Sequence, residues 1–396
     1  MYNQKTMKKQ KEPNWLAILR IALAIVFILS GLTKAIDPIA SGIKMSEYFL
    51  SFGMGFMHPF SLWIGILMNI AEFTLGFMLL FKIRVNLTLL GYLLFMVFFF
   101  FLTAWLAIAE HLEVNYGYSF GVVTDCGCFG QAIKMNNLET FLKNVALLAI
   151  TLIIFGKRKT IPDIRLTILG QWLFAFLGAG IALSIQIYCL RNLPLVDFSD
   201  WKKGKDVVDI FIETPAEKEI LFVYKNDKDE EKLLSMEDMD NITETLPNFY
   251  TEFYYVDRID SVLSEAIHAK KTGFSMLDNQ GRDFASTYLN KDKELVYMLF
   301  IHDLDEINNE GFLSENLKNL VVQCNKNNID FVAITNSSPD EIKKFIKTRQ
   351  ITFPIYYNPI DPVKGPFIVR DAIRSNPGLI VLKNGKVAEK RACRKF

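Results

Sequence analysis

Five apolar stretches dominate the first half of the chain, at 15–36, 60–82, 87–110, 138–156 and 166–190. Each approaches the ~20 residues that cross a bilayer core. The run LTLLGYLLFMVFFFFLTAWLAIA at 87–109 carries no charge. A helix buried in a water-soluble core is shorter and keeps a polar face. The pattern predicts five transmembrane helices. Basic residues precede the first, as in a signal peptide, but no small-residue cleavage site follows. It ends in Lys34 and Asp37–Pro38, so it is expected to be retained.

From about 191 the pattern turns globular. DIFIE (209–213) and EILFVYKN (219–226) predict strands of a β-rich section over 191–272. GFSMLDNQGRDF predicts a hairpin around Asn279–Gln280–Gly281, and ELVYMLFIHD (294–303) a buried strand. SENLKNLVVQCNKN (314–327) predicts a helix with Ser314 as N-cap. IDFVAITN (329–336) and TFPIYY predict strands, and SPDEIKKFIKTRQ (338–350) opens with a capping signature. PGLIVLKNGKVAEKR predicts a hairpin turning at Asn384–Gly385. The fold class is an α-helical membrane bundle followed by an α/β soluble domain.

Composition agrees with this division. Hydrophobic residues make up 51% of the 396, with 33 Phe. The formal net charge of +1 hides an asymmetry. Residues 1–190 hold 15 Lys/Arg against 9 Asp/Glu, and the remainder 29 against 34. No strongly basic surface is implied, which argues against nucleic acid as a partner. The bilayer is the first partner expected. Lys5, Lys8, Lys9 and Lys11, then Lys82 and Arg84, then Lys157, Arg158, Lys159 and Arg165 fall on one side if the spans alternate. That side is expected to be cytoplasmic. The segments 37–59, 111–137 and 191–396 then face outward, across a bacterial inner membrane.

Five cysteines are too few for a disulfide scaffold. Two of them stand in DCGCFG, Asp125 to Gly130, in the outward loop between the third and fourth spans. Three readings are open. Cys126 and Cys128 form a redox-active dithiol, with Gly127 giving the backbone freedom and Asp125 beside it. They form a structural clip. Or they contribute two ligands to a metal, with His58 or His111 nearby. No complete metal site is read from the spacing. His58 and His111 both sit at outer span ends, where either is suited to take a thiol proton. Cys189, Cys324 and Cys393 have no spacing that implies a site; the first two are expected to be buried.

Glu72 falls near the middle of the second span, and an intramembrane carboxylate is a functional-site hypothesis by default. Lys34 is its candidate partner. Asn69 lies one helical turn away on the same face, and Arg20 in the inner third of the first span. The bland alternative is a charge pair that only locks two helices.

With these residues in place, residues 1–160 resemble the DoxX-like/MauE family of four-helix membrane proteins. The resemblance rests on Arg20, SGLTKAIDP, AEFTLGFMLL with Glu72, and VTDCGCFG. It implies a four-helix domain over 1–160, to which 161–190 adds a fifth helix. It also implies a role in maturation of extracytoplasmic proteins, as in methylamine utilisation. The bundle is similar to that of vitamin K epoxide reductase-like proteins, which hold a quinone beneath a Cys pair; a membrane quinone is therefore an implied cofactor. Those proteins use Cys-x-x-Cys and a second loop pair. This chain has Cys-x-Cys and no cysteine in 37–59. Residues 273–396 resemble a thioredoxin-like domain, with Asn376–Pro377 where that fold keeps a cis-proline. Its active-site cysteines are missing from HDLDEINNEGF.

Three functions follow as expectations. The first is a membrane thiol–disulfide oxidoreductase or maturation factor that acts on an extracytoplasmic client through Cys126 and Cys128. The second is a non-enzymatic assembly scaffold in which the pair is static. The third is a small proton-coupled transporter using Glu72 and Lys34. No phosphate loop, HExxH motif or nucleophile elbow is present.

Overall fold

The computed structural model describes residues 12–117, 123, 126–133, 135–213, 217–264, 269–271, 273–360 and 367–395. Helix α1 (Asn14–Ile36) is followed at once by α2 (Pro38–Ser51). A 3-10 turn at Gly55–Phe60 leads into α3 (Ser61–Leu80), and then come α4 (Val85–Tyr116), α5 (Asn137–Gly156) and α6 (Ile168–Arg191). Five of these helices, α2 excepted, are long and apolar enough to cross a membrane. Large side chains such as Leu67, Leu94, Phe101 and Phe176 lie on the bundle's outer surface, as lipid-facing helices require.

Helix α2 was not foreseen within 37–59. Its start has a local cause. The Asp37 carboxylate accepts a hydrogen bond from the Ala40 amide at 3.0 Å, and Pro38 stands in the first turn. Asp37 is thus a cap, and proline there loses no helical hydrogen bond.

The α1–α3 crossing is close because glycine permits it. A Cβ on Gly31 would lie 2.6 Å from the Phe73 amide nitrogen, and one on Gly76 2.8 Å from the Ile28 nitrogen. Without a hydrophobic force between helices in lipid, such small-residue contacts carry much of the packing. At one end of this crossing Glu12 pairs with Arg20 at 2.8 Å and Lys82 at 2.6 Å. The Arg20 guanidinium also donates to the carbonyls of Leu79 and Leu80, the last turn of α3. Arg20 is buried and serves to tie α1 to α3.

Among the described residues the polar half holds two sheets. Strands β2 (Glu217–Lys225), β3 (Glu231–Leu234) and β4 (Tyr254–Ser264) form an antiparallel sheet in the order β3-β2-β4. DIFIE is not a strand: Val208–Phe211 is a single helical turn. Three consecutive apolar residues between two acidic ones fit either state, and tertiary packing decided. Trp201, Val207 and Val208 belong to the core of the second sheet, and Phe211 packs against it. That sheet has the order β7-β6-β5-β8-β9. Strands β5 (Val296–Ile301), β6 (Asp330–Thr335) and β7 (Ile355–Tyr357) run parallel, whereas β8 (Gly378–Lys383) and β9 (Lys386–Ala392) are antiparallel.

The connecting helices Glu315–Lys326 and Pro339–Arg349 begin at Ser314 and Ser338, whose hydroxyls cap them; Ser338 and Glu341 complete a capping box. The Asn384–Gly385 turn has positive φ at both residues, as a tight two-residue hairpin needs. The Asn279–Gly281 region turns as expected, its arms joined by the isolated Leu277–Asp283 bridge and by side-chain bonds of Asp278 and Asp283 instead of a strand ladder. The Asn376–Pro377 peptide is cis.

The two halves are joined by a buried ion pair. Arg374 Nε donates to both carboxylate oxygens of Asp37, at 3.0 and 3.1 Å. Both side chains are less than one-tenth exposed. Arg374 also reaches Asp371 and the Arg370 carbonyl.

Candidate functional site

The end of the bundle where α1 finishes carries the candidate chemistry. Short strand β1 (Cys128–Gln131) lies along α1. The segment before it turns at Gly127, whose φ is +64°, and the Gly130 amide closes the turn on the Gly127 carbonyl at 2.9 Å. A side chain at 127 would be strained by that backbone and would also meet Lys44, whose Cγ lies 2.9 Å from an added Cβ. The Tyr48 hydroxyl of α2 donates to the Cys126 carbonyl at 3.0 Å. Cys126 packs with Tyr48, Leu106 and Val123. So α2, invisible at first reading, is one wall of the cysteine turn.

The sulfurs of Cys126 and Cys128 face each other at 2.8 Å as free thiols. Their environments differ. Cys126 is buried; Cys128 is half-buried. Cys128 is lowered to about 6, first by the hydrogen bond from Cys126. Burial opposes this, and the charges of Lys143 and Lys34 assist. Cys126 is pushed up by that same hydrogen bond, by burial and by the neighbouring sulfur's charge. The arrangement favours thiolate on Cys128 and thiol on Cys126. A thiolate is the nucleophilic form.

Beneath the turn lies the intramembrane pair. Lys34 Nζ sits 2.5 Å from Glu72 Oε2. The Ser30 hydroxyl is 2.6 Å from Glu72 Oε1 and also contacts the Cys128 carbonyl. One hydroxyl proton serves one of these acceptors at a time. Glu72, Lys34, Ser30 and Cys128 line a single small cavity with Lys143 and Asn144. The predicted pair therefore exists, and it lies directly against the cysteine turn.

Lys143 was missed by sequence reasoning. It is on α5, its ammonium 4.9 Å from the Phe129 ring centroid, and its charge is among those that lower Cys128. Only its place near the start of the fourth span hinted at it. The capping box of Asn136 and Glu139 fixes where α5 begins and hence where Lys143 points.

Other predicted residues lie elsewhere. Asn69 Nδ2 faces Ser41 Oγ and Gln186 Oε1, both at 3.1 Å, and the Lys34 carbonyl at 3.3 Å. It binds the fifth span to the bundle instead of joining Glu72's carboxylate. His58 contacts Ser46 through Nδ1 and lines a different cavity. His111 is exposed on α4 beside Asn115. Neither histidine is among the groups acting on either sulfur. Among the described residues no three of His, Cys, Asp and Glu gather as a metal site. Asp125 lies outside the described residues. Cys189 and Cys324 are buried, as expected.

A quinone does not fit beside Glu72. The cavity there is about 30 Å³, whereas a single benzene ring occupies a cavity of roughly 150 Å³. No electron step is routed through a quinone at this place.

The helices and the cysteine turn define a polytopic membrane protein with a dithiol at one end of its bundle. The comparison with known families narrows this: residues 13–156 match the family model described as methylamine utilisation protein MauE. The match spans the first four membrane helices and both cysteines of the turn, and it supports a MauE-type membrane protein. No curated protein and no solved structure matches the chain.

Proposed function

We propose that this chain is a membrane thiol–disulfide exchange protein that serves the maturation of extracytoplasmic proteins. The observation that carries the reading is the 2.8 Å approach of two sulfurs with opposite proton preferences. In the reductive direction, the Cys128 thiolate attacks one sulfur of a client disulfide. That bond breaks, and the leaving client sulfur takes the electron pair and a proton. Cys126, once deprotonated, then attacks Cys128 in the mixed disulfide. The products are a Cys126–Cys128 disulfide and a client dithiol. The reverse sequence oxidises the client and leaves both cysteines reduced. The client is the redox partner in each direction.

Cys128 takes the attacking role because the charges of Lys143 and Lys34 and the hydrogen bond from Cys126 favour its thiolate. Asp125, His58 and His111 have no assigned step. The lysine and arginine distribution would put the cysteine turn and the residues after 191 outside the cytoplasm. We read 273–396 as thioredoxin-like on its sheet order, with three parallel strands and two antiparallel ones. Lacking a Cys-x-x-Cys, it would hold a client or partner. The family's name ties its members to methylamine utilisation, and a maturation role of that kind is the nearest precedent.

The scaffold reading has one specific observation in its favour. The buried Asp37–Arg374 pair fixes the distal region to the bundle, as an anchor would. The two readings separate by trapping. With Cys126→Ser in membranes, Cys128 should accumulate mixed disulfides, seen as reductant-sensitive adducts by mass spectrometry. With Cys128→Ser none should form. Absence of adducts in both variants, with maturation intact, refutes exchange and leaves the scaffold.

A further inference from the structure

A second and much larger cavity, of about 670 Å³, lies between the bundle end and the distal sheet. Its floor comes from α2 and the start of α3, with Ile39, Ile43 and Leu62. Its roof comes from the far end of the chain, with Arg370, Arg374 and Arg394, and Arg191 closes it from the end of α6. Glu306 is the one carboxylate among the lining residues. The volume is in the range that holds a small organic ligand.

The four arginines are not equivalent. Arg374 is satisfied by Asp37, Asp371 and a carbonyl. Arg370 is half-buried, and its guanidinium has no hydrogen-bond or ion-pair partner among the described residues. Burial lowers its proton affinity below that of an ordinary arginine, and the nearby Arg374 charge adds to this while Glu306 opposes. A partly desolvated cation without a partner is costly unless an anion completes it. His302, beside it, has Nε2 at 2.8 Å from the Ile373 carbonyl. That contact places the proton on Nε2, and an imidazole in either tautomer brings no negative charge to Arg370.

We propose that this cavity is a binding site for a phosphate-type oxyanion, received by Arg370 with Arg394 and Arg191 around it. Arginine forks match such oxygens in pairs, and several forks around one space favour a tetrahedral anion over a flat carboxylate. Two sources share the chemistry: the headgroup of an anionic phospholipid and a soluble phosphate. The apolar floor continues into the bundle and suits the first, with its acyl chain along Ile39 and Ile43. The site is independent of whether the cysteines exchange disulfides.

The test uses the full chain purified in detergent. Thermal stability is titrated with inorganic phosphate, and separately with mixed micelles containing phosphatidylglycerol or phosphatidylcholine. Phosphatidylglycerol is expected to raise Tm in a saturable way, and phosphatidylcholine not. Arg370→Gln should weaken that binding at least tenfold. A response to lipid alone assigns the lipid headgroup; a response to inorganic phosphate as well assigns the phosphate group without its chain. No saturable response to either, or unchanged affinity in Arg370→Gln, overturns the proposal. If Arg370→Gln fails to elute as folded protein, Arg394→Gln carries the same comparison.

Discussion

Removing the Cys126 sulfur tests the electrostatic account of Cys128 directly. In Cys126→Ala the turn keeps its backbone, Gly127 and the Tyr48 contact to the residue 126 carbonyl. It loses the S–H that leads the causes lowering Cys128. At the wild-type value of about 6, roughly nine in ten Cys128 groups are thiolate at pH 7, against about 3% for an unperturbed thiol. Lys34 and Lys143 remain in the variant, so the rise should be partial. A higher pKa also makes the thiolate intrinsically more nucleophilic, by about threefold per unit. A rate at one pH would mix the two effects. The assay is therefore the full pH profile of Cys128 alkylation by iodoacetamide in detergent, read on the loop peptide. Reactivity should be lost as pH falls through about 6 in the wild type, because the thiolate is protonated there. In Cys126→Ala the midpoint should move up while the alkaline plateau rises. Lys143→Met should shift the midpoint in the same direction by less. An unmoved midpoint in Cys126→Ala would refute the assignment of Cys126 as donor to a Cys128 thiolate.

Two further predictions concern buried charge. Glu72→Leu leaves Lys34 without its 2.5 Å partner and should cost about 3–5 kcal/mol. The double variant Glu72→Leu with Lys34→Met should recover most of it, as measured by thermal unfolding in detergent; a double variant no better than the single would count against a simple pair. Asp37→Asn keeps the cap of α2, since asparagine caps as well as aspartate, but removes the charge facing Arg374. Limited proteolysis after residue 191 should then release the distal region faster, and an unchanged rate would count against this pair as the tie between the halves.

The membrane spans were legible because their signal is long and one-sided in composition. An uncharged run such as 87–109 has few alternative states. The partnership of Glu72 and Lys34 was legible for the same reason, since apolar surroundings leave a carboxylate little choice of partner. Short elements were less so. DIFIE holds an apolar run of only three residues, too short to tell a strand from a turn of helix. Helix α2 went unread because Asp37–Pro38 looked only like the end of the first span, and its mixed composition, PIASGIKMSEYFLS, lacks a long apolar face. The cysteine turn stood out by spacing, whereas Lys143 did not, because only the packing of α4 on α5 brings it to Cys128. His58 and His111 were placed correctly at span ends, yet chain ends of helices say nothing about lateral distance. The Asp37–Arg374 contact joins residues 337 apart in sequence, and no local pattern encodes such a meeting.

That last contact also orders the making of the protein. Asp37 is translated 337 residues before Arg374. The first span must therefore enter the membrane, and the other four after it, with Asp37 waiting for a partner not yet translated. Until the distal sheet has folded and docked, the end of the bundle beside α2 stays open. The closing of the clamp is thus a late event, reached only when the distal sheet is folded and seated on the bundle.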